Sequence, residues 1–123
     1  MSNVIDQASF LLEENLKKAL TEMLILHLLA QKESYIGELA EALRERSGGA
    51  LTVVFPYAAI YRLQQAGHIT ESGKRIAPDG RRRQFFSVTD TGKAHLQQLL
   101  KTYRAFSAGV DAVLQRGEEP NEP

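Results

Sequence analysis

The feature that most constrains this chain is an apolar seam near its C-terminal end. Leu96, Leu99, Leu100, Tyr103, Phe106, Val110, Val113 and Leu114 recur mostly at three- and four-residue spacing. That is a heptad-like repeat sustained for nearly three turns of the pattern. A helix from Lys93 to Leu114 is ~33 Å long at 1.5 Å per residue. The whole chain has 123 residues, which is one domain with no room for a second core. So long and one-sided a seam outruns what a small domain can cover alone. It must either fold back over its own core or dock on a partner, and two-fold pairing with a second copy answers it best. Beyond it, Gly117–Pro123 holds three glutamates and two prolines and reads as a flexible tail.

Upstream, hydrophobic spacing predicts three more helices. The first spans Asp6 to Ala30, with a break near Glu13–Asn15. Its second half, with Leu16, Leu20, Met23, Leu24, Ile25, Leu26, Leu28 and Leu29, is too apolar for one narrow stripe and needs cover on several sides. His27 in its middle reads as a structural residue, the alternative being a pH-sensitive interior group with a partner. The second helix runs from Tyr35 to Arg46 on an Ile36, Leu39, Ala40, Leu43 face. Ser34 is its candidate N-cap, and Ser47-Gly48-Gly49 closes it. The third starts at Thr52 or Pro56, runs to about Ala66, and stops at Gly67. Two strand-like segments follow, Ile69–Arg75 and Arg83–Val88, with turn residues Pro78-Asp79-Gly80 between them. Thr89 or Asp90 then caps the last helix.

This order is a trihelical core with a short turn before its third helix, then a hairpin, then the long helix. The fold class expected is mainly α: a winged helix-turn-helix with a long C-terminal dimerisation helix. It divides into a winged-helix unit over 1–92, the dimerisation helix over 93–115, and a tail over 116–123.

Charge sharpens the picture. The total is zero, but residues 1–50 carry −3, residues 51–104 carry +6, and residues 105–123 carry −3. Within the positive stretch, Lys74, Arg75, Arg81, Arg82 and Arg83 crowd the hairpin against one Asp79. Such a cluster suits phosphates, and double-stranded DNA is the partner expected. The alternative is a solvated turn. On the third helix, Ile60 and Leu63 should face the core. Tyr57, Ala58, Tyr61, Arg62 and Gln65 are the candidates for a base-reading face, since arginine and glutamine pair with base edges and alanine meets a thymine methyl. Tyr57 fits either that face or a wedge against the core.

Other chemistries find little support. The chain has no cysteine, which excludes disulfides, thiolate catalysis and cysteine-ligated metals. It has no G-x-G-x-x-G and no H-x-x-x-H, and His27, His68 and His95 are unclustered in sequence. No nucleophile has an adjacent base. An enzyme, a cofactor and a metal site are therefore not expected. The longest purely hydrophobic run is five residues, Tyr57 to Tyr61, or nine from Val53 if Pro56 is counted, far short of a membrane span. The MSNVIDQ start lacks the basic region of a signal peptide. The expected location is cytoplasmic, with no membrane partner. The rival reading is a winged-helix adaptor between proteins that uses the long helix and binds no DNA.

These segments resemble the PadR-like family of bacterial transcriptional regulators over roughly Leu20 to Leu114. The resemblance is carried by Thr21-Glu22-Met23-Leu24-Ile25-Leu26-His27-Leu28-Leu29, by Glu38-Leu39-Ala40-Glu41-Ala42-Leu43, and by the run from Tyr57 to Ile69. Its strongest piece is Arg82-Arg83-Gln84-Phe85-Phe86-Ser87-Val88-Thr89-Asp90-Thr91-Gly92. The resemblance implies a homodimer in which the long helix crosses onto the partner's N-terminal helices. It also implies a palindromic operator, usually repressed, and relief by a small apolar or phenolic effector. Tyr103 and Phe106 either line such an effector site or complete the dimer core. The chain departs from the family in three places, one being the stretch Thr52-Val53-Val54-Phe55-Pro56, which is more apolar than the family's usual small-residue turn, so that some of it is expected to be buried rather than to read DNA. Tyr35-Ile36-Gly37 stands where many members have His-Gly-Tyr, and no tryptophan occupies the dimer helix, where Tyr103 lies near the usual position.

Overall fold

The structure, a computed structural model, describes residues 4–52 and 56–118, with side chains described for 7–52 and 56–116. Of the apolar stretch Thr52–Pro56, only its two ends are described: Thr52 is exposed and Pro56 buried. Of the tail, only the backbone of Gly117 and Glu118, both helical, adjoins the described side chains.

Helix α1 spans Val4–Gln31 without interruption. The expected break near Glu13–Asn15 does not occur. Nothing there stops a helix: the segment has no glycine or proline, its glutamates, leucine and lysines are good helix formers, and Lys17 Nζ pairs with Glu14 Oε2 at 3.1 Å. Its second half supplies Met23, Ile25, Leu26, Leu28 and Leu29 to the core. Buried residues on several sides of one helix explain why its apolar pattern is so dense.

Ser34 does not cap the next helix. Ser34 and Tyr35 form a two-residue strand, β1, opposite Phe86 and Phe85. The Ser34 side chain is buried and its hydroxyl donates to the Lys32 carbonyl at 3.3 Å. Helix α2 then runs Ile36–Arg46, with Tyr35 at the N-cap position and no side-chain cap. Leu39 and Leu43 are its buried pair. Helix α3 spans Tyr57–Gln65 and buries Ala59, Ile60 and Leu63, so the two residues expected in the core are there.

Strands β2 (Ile69–Ile76) and β3 (Arg82–Val88) form the hairpin, and β3 lies between β1 and β2 in a three-stranded antiparallel sheet. Opposite pairs include Ile69 with Val88, Lys74 with Gln84, and Arg75 with Arg83. A bulge between Glu71 and Gly73 shifts the register.

Helix α4 runs Asp90–Glu118. Its base is bound to the loop that leaves α3. Gly67 makes that loop possible by adopting φ +77, a conformation side chains disfavour. Its carbonyl accepts from the Thr89 hydroxyl at 2.7 Å and the Thr91 hydroxyl at 3.0 Å. The Thr89 amide donates to the His68 carbonyl at 3.0 Å, and the Gly92 amide donates to the Thr89 hydroxyl at 3.0 Å. Thr89 is thus the N-cap. Gly92 sits so close that a Cβ there would collide with the His68 carbonyl oxygen and the Val88 side chain.

Candidate nucleic-acid interface

The 3.6-residue period of α3 fixes its exposed face. With Ala59, Ile60 and Leu63 buried, Ala58, Tyr61 and Gln65 lie opposite the core. Tyr57 flanks them on one side and Arg62 on the other. All five are exposed, so the ring of Tyr57 is not wedged into the core. Arg62 is restrained: its Nε donates to Glu22 Oε2 of α1 at 2.9 Å, across forty positions of sequence.

The five hairpin bases separate into two groups. Arg75 and Arg83 are engaged within the chain. Arg75 lies over the Phe85 ring at 4.1 Å and pairs with Glu33 at 2.5 Å. Arg83 lies 5.7 Å from the Tyr35 ring centroid and pairs with Asp79 at 2.6 Å. Tyr35 and Phe85 meet edge to face, 5.4 Å apart. Two arginines and two rings thereby cover the outer face of the sheet. Asp79 does more than offset charge. It accepts from the Arg81 amide as well as from Arg83, and these bonds, Arg83 foremost, hold its carboxyl below the usual carboxylate range. Lys74, Arg81 and Arg82 are exposed, and no ion pair among the described residues engages their side chains.

Between the wing and the first turns of α2 and α3 lies an open recess of about 400 Å³. Tyr35, Ile36, Tyr57, Arg82 and Gln84 line it, with Phe86 at its floor. Tyr57 at the start of α3 and Arg82 of the wing, with the engaged Arg83 beside it, therefore line one concavity.

The C-terminal seam changes character along its length. Leu96 is 3% exposed and belongs to the chain's own core, so it does not offer itself to a partner; Leu99 and Leu100 are half-buried against that core. From Tyr103 onward the seam is bare, with Phe106 at 74% and Val113 at 71% exposure, and Val110 and Leu114 also exposed. The N-terminal half of α1 is equally uncovered at Phe10, Leu11, Leu12 and Leu16. Tyr103 and Phe106 do come together, in a cleft of about 320 Å³ between α1 and α4 that includes Leu20, Met23, His95 and Leu99.

Two groups that no local pattern flags complete the region. His68 and His95, unclustered in sequence, are stacked in space. Glu22 lines the α1–α4 cleft and also reaches α3 through Arg62. Both associations depend on how α1, α3 and α4 meet. His27 lies 3.2 Å from the Gln31 side-chain amide one turn on.

Among the described residues no group of three His, Cys, Asp or Glu side chains is placed to hold a metal ion. No described helix is long and apolar enough to cross a membrane.

A helix-turn-helix whose second helix is exposed, followed by a basic hairpin, defines a winged helix-turn-helix DNA-binding protein. The model of the transcriptional regulator PadR-like family matches residues 25–98, and the chain belongs to that family of DNA-binding regulators, which are not enzymes. The matched span is shorter at both ends than the resemblance seen in the sequence. Solved structures agree on the fold. A PadR family regulator from Eggerthella lenta superposes with a TM-score of 0.74 at 19% identity, covering 89% of this chain and 95% of its own. A PadR-like regulator from Bacillus cereus gives 0.70 at 24%, covering 82% and 97%. A PadR family regulator from Clostridium difficile gives 0.65 at 26%, covering 77% and 98%.

Proposed function

We propose that this protein is a homodimeric repressor that binds a palindromic operator in the cytoplasm and is released by a small apolar or phenolic molecule. The observation that carries the reading is an exposed α3 face accompanied by a wing with three exposed, unpaired bases, Tyr57 of the one and Arg82 of the other lining a common recess. Ala58, Tyr61 and Gln65, with Tyr57 and Arg62 at the flanks, enter the major groove. Lys74, Arg81 and Arg82 hold backbone phosphates, while Arg75 and Arg83 shape the wing that presents them. Residues 1–92 form the DNA-binding unit, 93–115 the pairing helix, and 116–123 its tail.

Pairing is supported by the bare half of α4 and the bare N-terminal half of α1. So many exposed large apolar side chains are unusual on a monomer. Leu99, Leu100, Tyr103, Phe106, Val110, Val113 and Leu114 bury against a second copy, which also supplies the two half-sites of a dimeric reader. The cleft holding Tyr103 and Phe106 offers the effector an apolar wall and a phenolic hydroxyl. Release then requires the ligand to favour a dimer geometry that does not fit the operator.

The test is fluorescence anisotropy with a duplex selected by the protein from a random pool, repeated across a salt series, with sedimentation velocity on the same sample. Dimers that bind with steep salt dependence and prefer the selected duplex support the reading. Dimers that bind no duplex would make the protein an adaptor instead.

A further inference from the structure

We propose that Glu22 is a positioning residue for DNA binding: it parks Arg62 of the recognition helix against α1 until DNA takes its place. This inference rests on the DNA-binding reading above. Arg62 sits on the flank of the exposed face of α3, next to α1, where its side chain can turn toward either the groove or the protein. In the free protein it turns to the protein, donating from Nε to Glu22 at 2.9 Å. The pair is solvent-accessible, with side-chain exposures of 54% for Arg62 and 33% for Glu22. An exposed ion pair is weak and exchanges readily, so a phosphate or a base edge can displace the carboxylate.

The surroundings say why the carboxylate is held there. Glu22 is half-buried and immediately precedes Met23, where the buried run of α1 begins, so its backbone is fixed by the core. His68, at the exit of α3, feels its charge. His95 of α4 shares the neighbouring cleft with it. Of these groups only Arg62 makes a hydrogen bond to Glu22 in the structure. The recognition helix has no acid of its own, so the restraint on its arginine comes from another element. Removing that restraint frees a cation without altering α3.

The experiment compares the parent, Glu22→Gln, Glu22→Asp, Arg62→Ala and the Glu22→Gln/Arg62→Ala pair, each checked for an unchanged thermal midpoint and dimeric state. Binding is read by anisotropy on a random-sequence duplex and on a duplex selected from a random pool. Glu22→Gln should bind roughly two- to fivefold more tightly, the range an exposed pair can supply. On the random duplex its salt-dependence slope should stay close to the parent's, because Arg62 meets DNA in both complexes and only the cost of leaving Glu22 differs. Glu22→Asp, which keeps the charge, should stay near the parent. In the Arg62→Ala background, Glu22→Gln should change nothing. A gain that survives in that background would mean that Glu22 merely repels DNA, and would overturn the proposal. So would a Glu22→Gln protein that binds no better than the parent, or less well. A parent that binds neither duplex overturns the DNA-binding reading and this inference together.

Discussion

The imidazole of His68 lies flat against that of His95, with ring centroids 4.1 Å apart and planes 13° from parallel. One ring stands at the exit of the recognition helix and the other on the second turn of α4. Burial, and then the charge on His95, push His68 below the ordinary imidazole pKa, with Glu22 pulling the other way. The folded chain therefore keeps His68 neutral at a pH where the unfolded chain protonates it. Stability from this source is complete above about pH 6.5 and declines from there toward the lower folded value. Melting curves at about pH 7.5 and about pH 5.5 should show the parent losing more than His68→Gln. Equal losses would remove His68 as the cause.

The bare half of α4 separates assembly from folding. Phe106 and Val113 are mostly exposed, so Phe106→Glu with Val113→Glu should give a folded monomer with a helical circular-dichroism spectrum. Leu96→Ala should instead cost ~2–5 kcal/mol of protomer stability. Sedimentation velocity at micromolar concentration checks both. A parent that is already monomeric there would contradict the pairing.

In the wing, the unpaired and paired bases should fail differently. Arg81→Ala with Arg82→Ala should weaken binding to any duplex and lower the salt slope by ~1.8 if both hold phosphates. Arg75→Ala should have a smaller effect on the slope and should expose the Phe85 ring, detectable as faster amide exchange in β2 and β3. Identical slopes for the parent and the Arg81/Arg82 variant would assign those two residues to ordinary surface.

Gly92→Ala places a methyl group against the His68 carbonyl and Val88. Overpacking of this kind costs roughly 1–3 kcal/mol, visible in a urea midpoint. Because the same contact joins α4 to the exit of α3, DNA affinity should fall by more than the loss of folded protein explains. Affinity that follows folded fraction alone would count against a mechanical link between the two elements.

The spacing of apolar residues made the helices, the hairpin and the buried faces of α2 and α3 legible, because those signals repeat within a few residues. Four features escaped, for three different reasons. Strand β1 is two residues long, too short for any period, and Ser34 carries the chemistry of a cap whether or not it caps. Leu96 obeys the same heptad as Phe106, and only the position of the core along α4 decides which of them is covered. The Glu22–Arg62 pair and the His68–His95 stack join elements distant in sequence, and nothing local to any of the four residues announces its partner. The wing lay between these cases: its charge was plain, but Arg75 and Arg83 look the same in sequence as Arg81 and Arg82 until Tyr35 and Phe85 are seen beside them.

The layered contact of Arg75, Phe85, Tyr35 and Arg83 has a thermodynamic corollary. Most basic loops are floppy and lose conformational freedom when a polyanion orders them. Here part of that freedom is already reduced in folding, since the rings and the carboxylates of Glu33 and Asp79 hold Arg75 and Arg83 against the sheet. Under the proposed DNA-binding function, the part of the hairpin held in this way docks with a smaller entropic penalty. Its set shape then favours a duplex whose groove has the matching width, so local DNA shape adds to selectivity even where no base is touched.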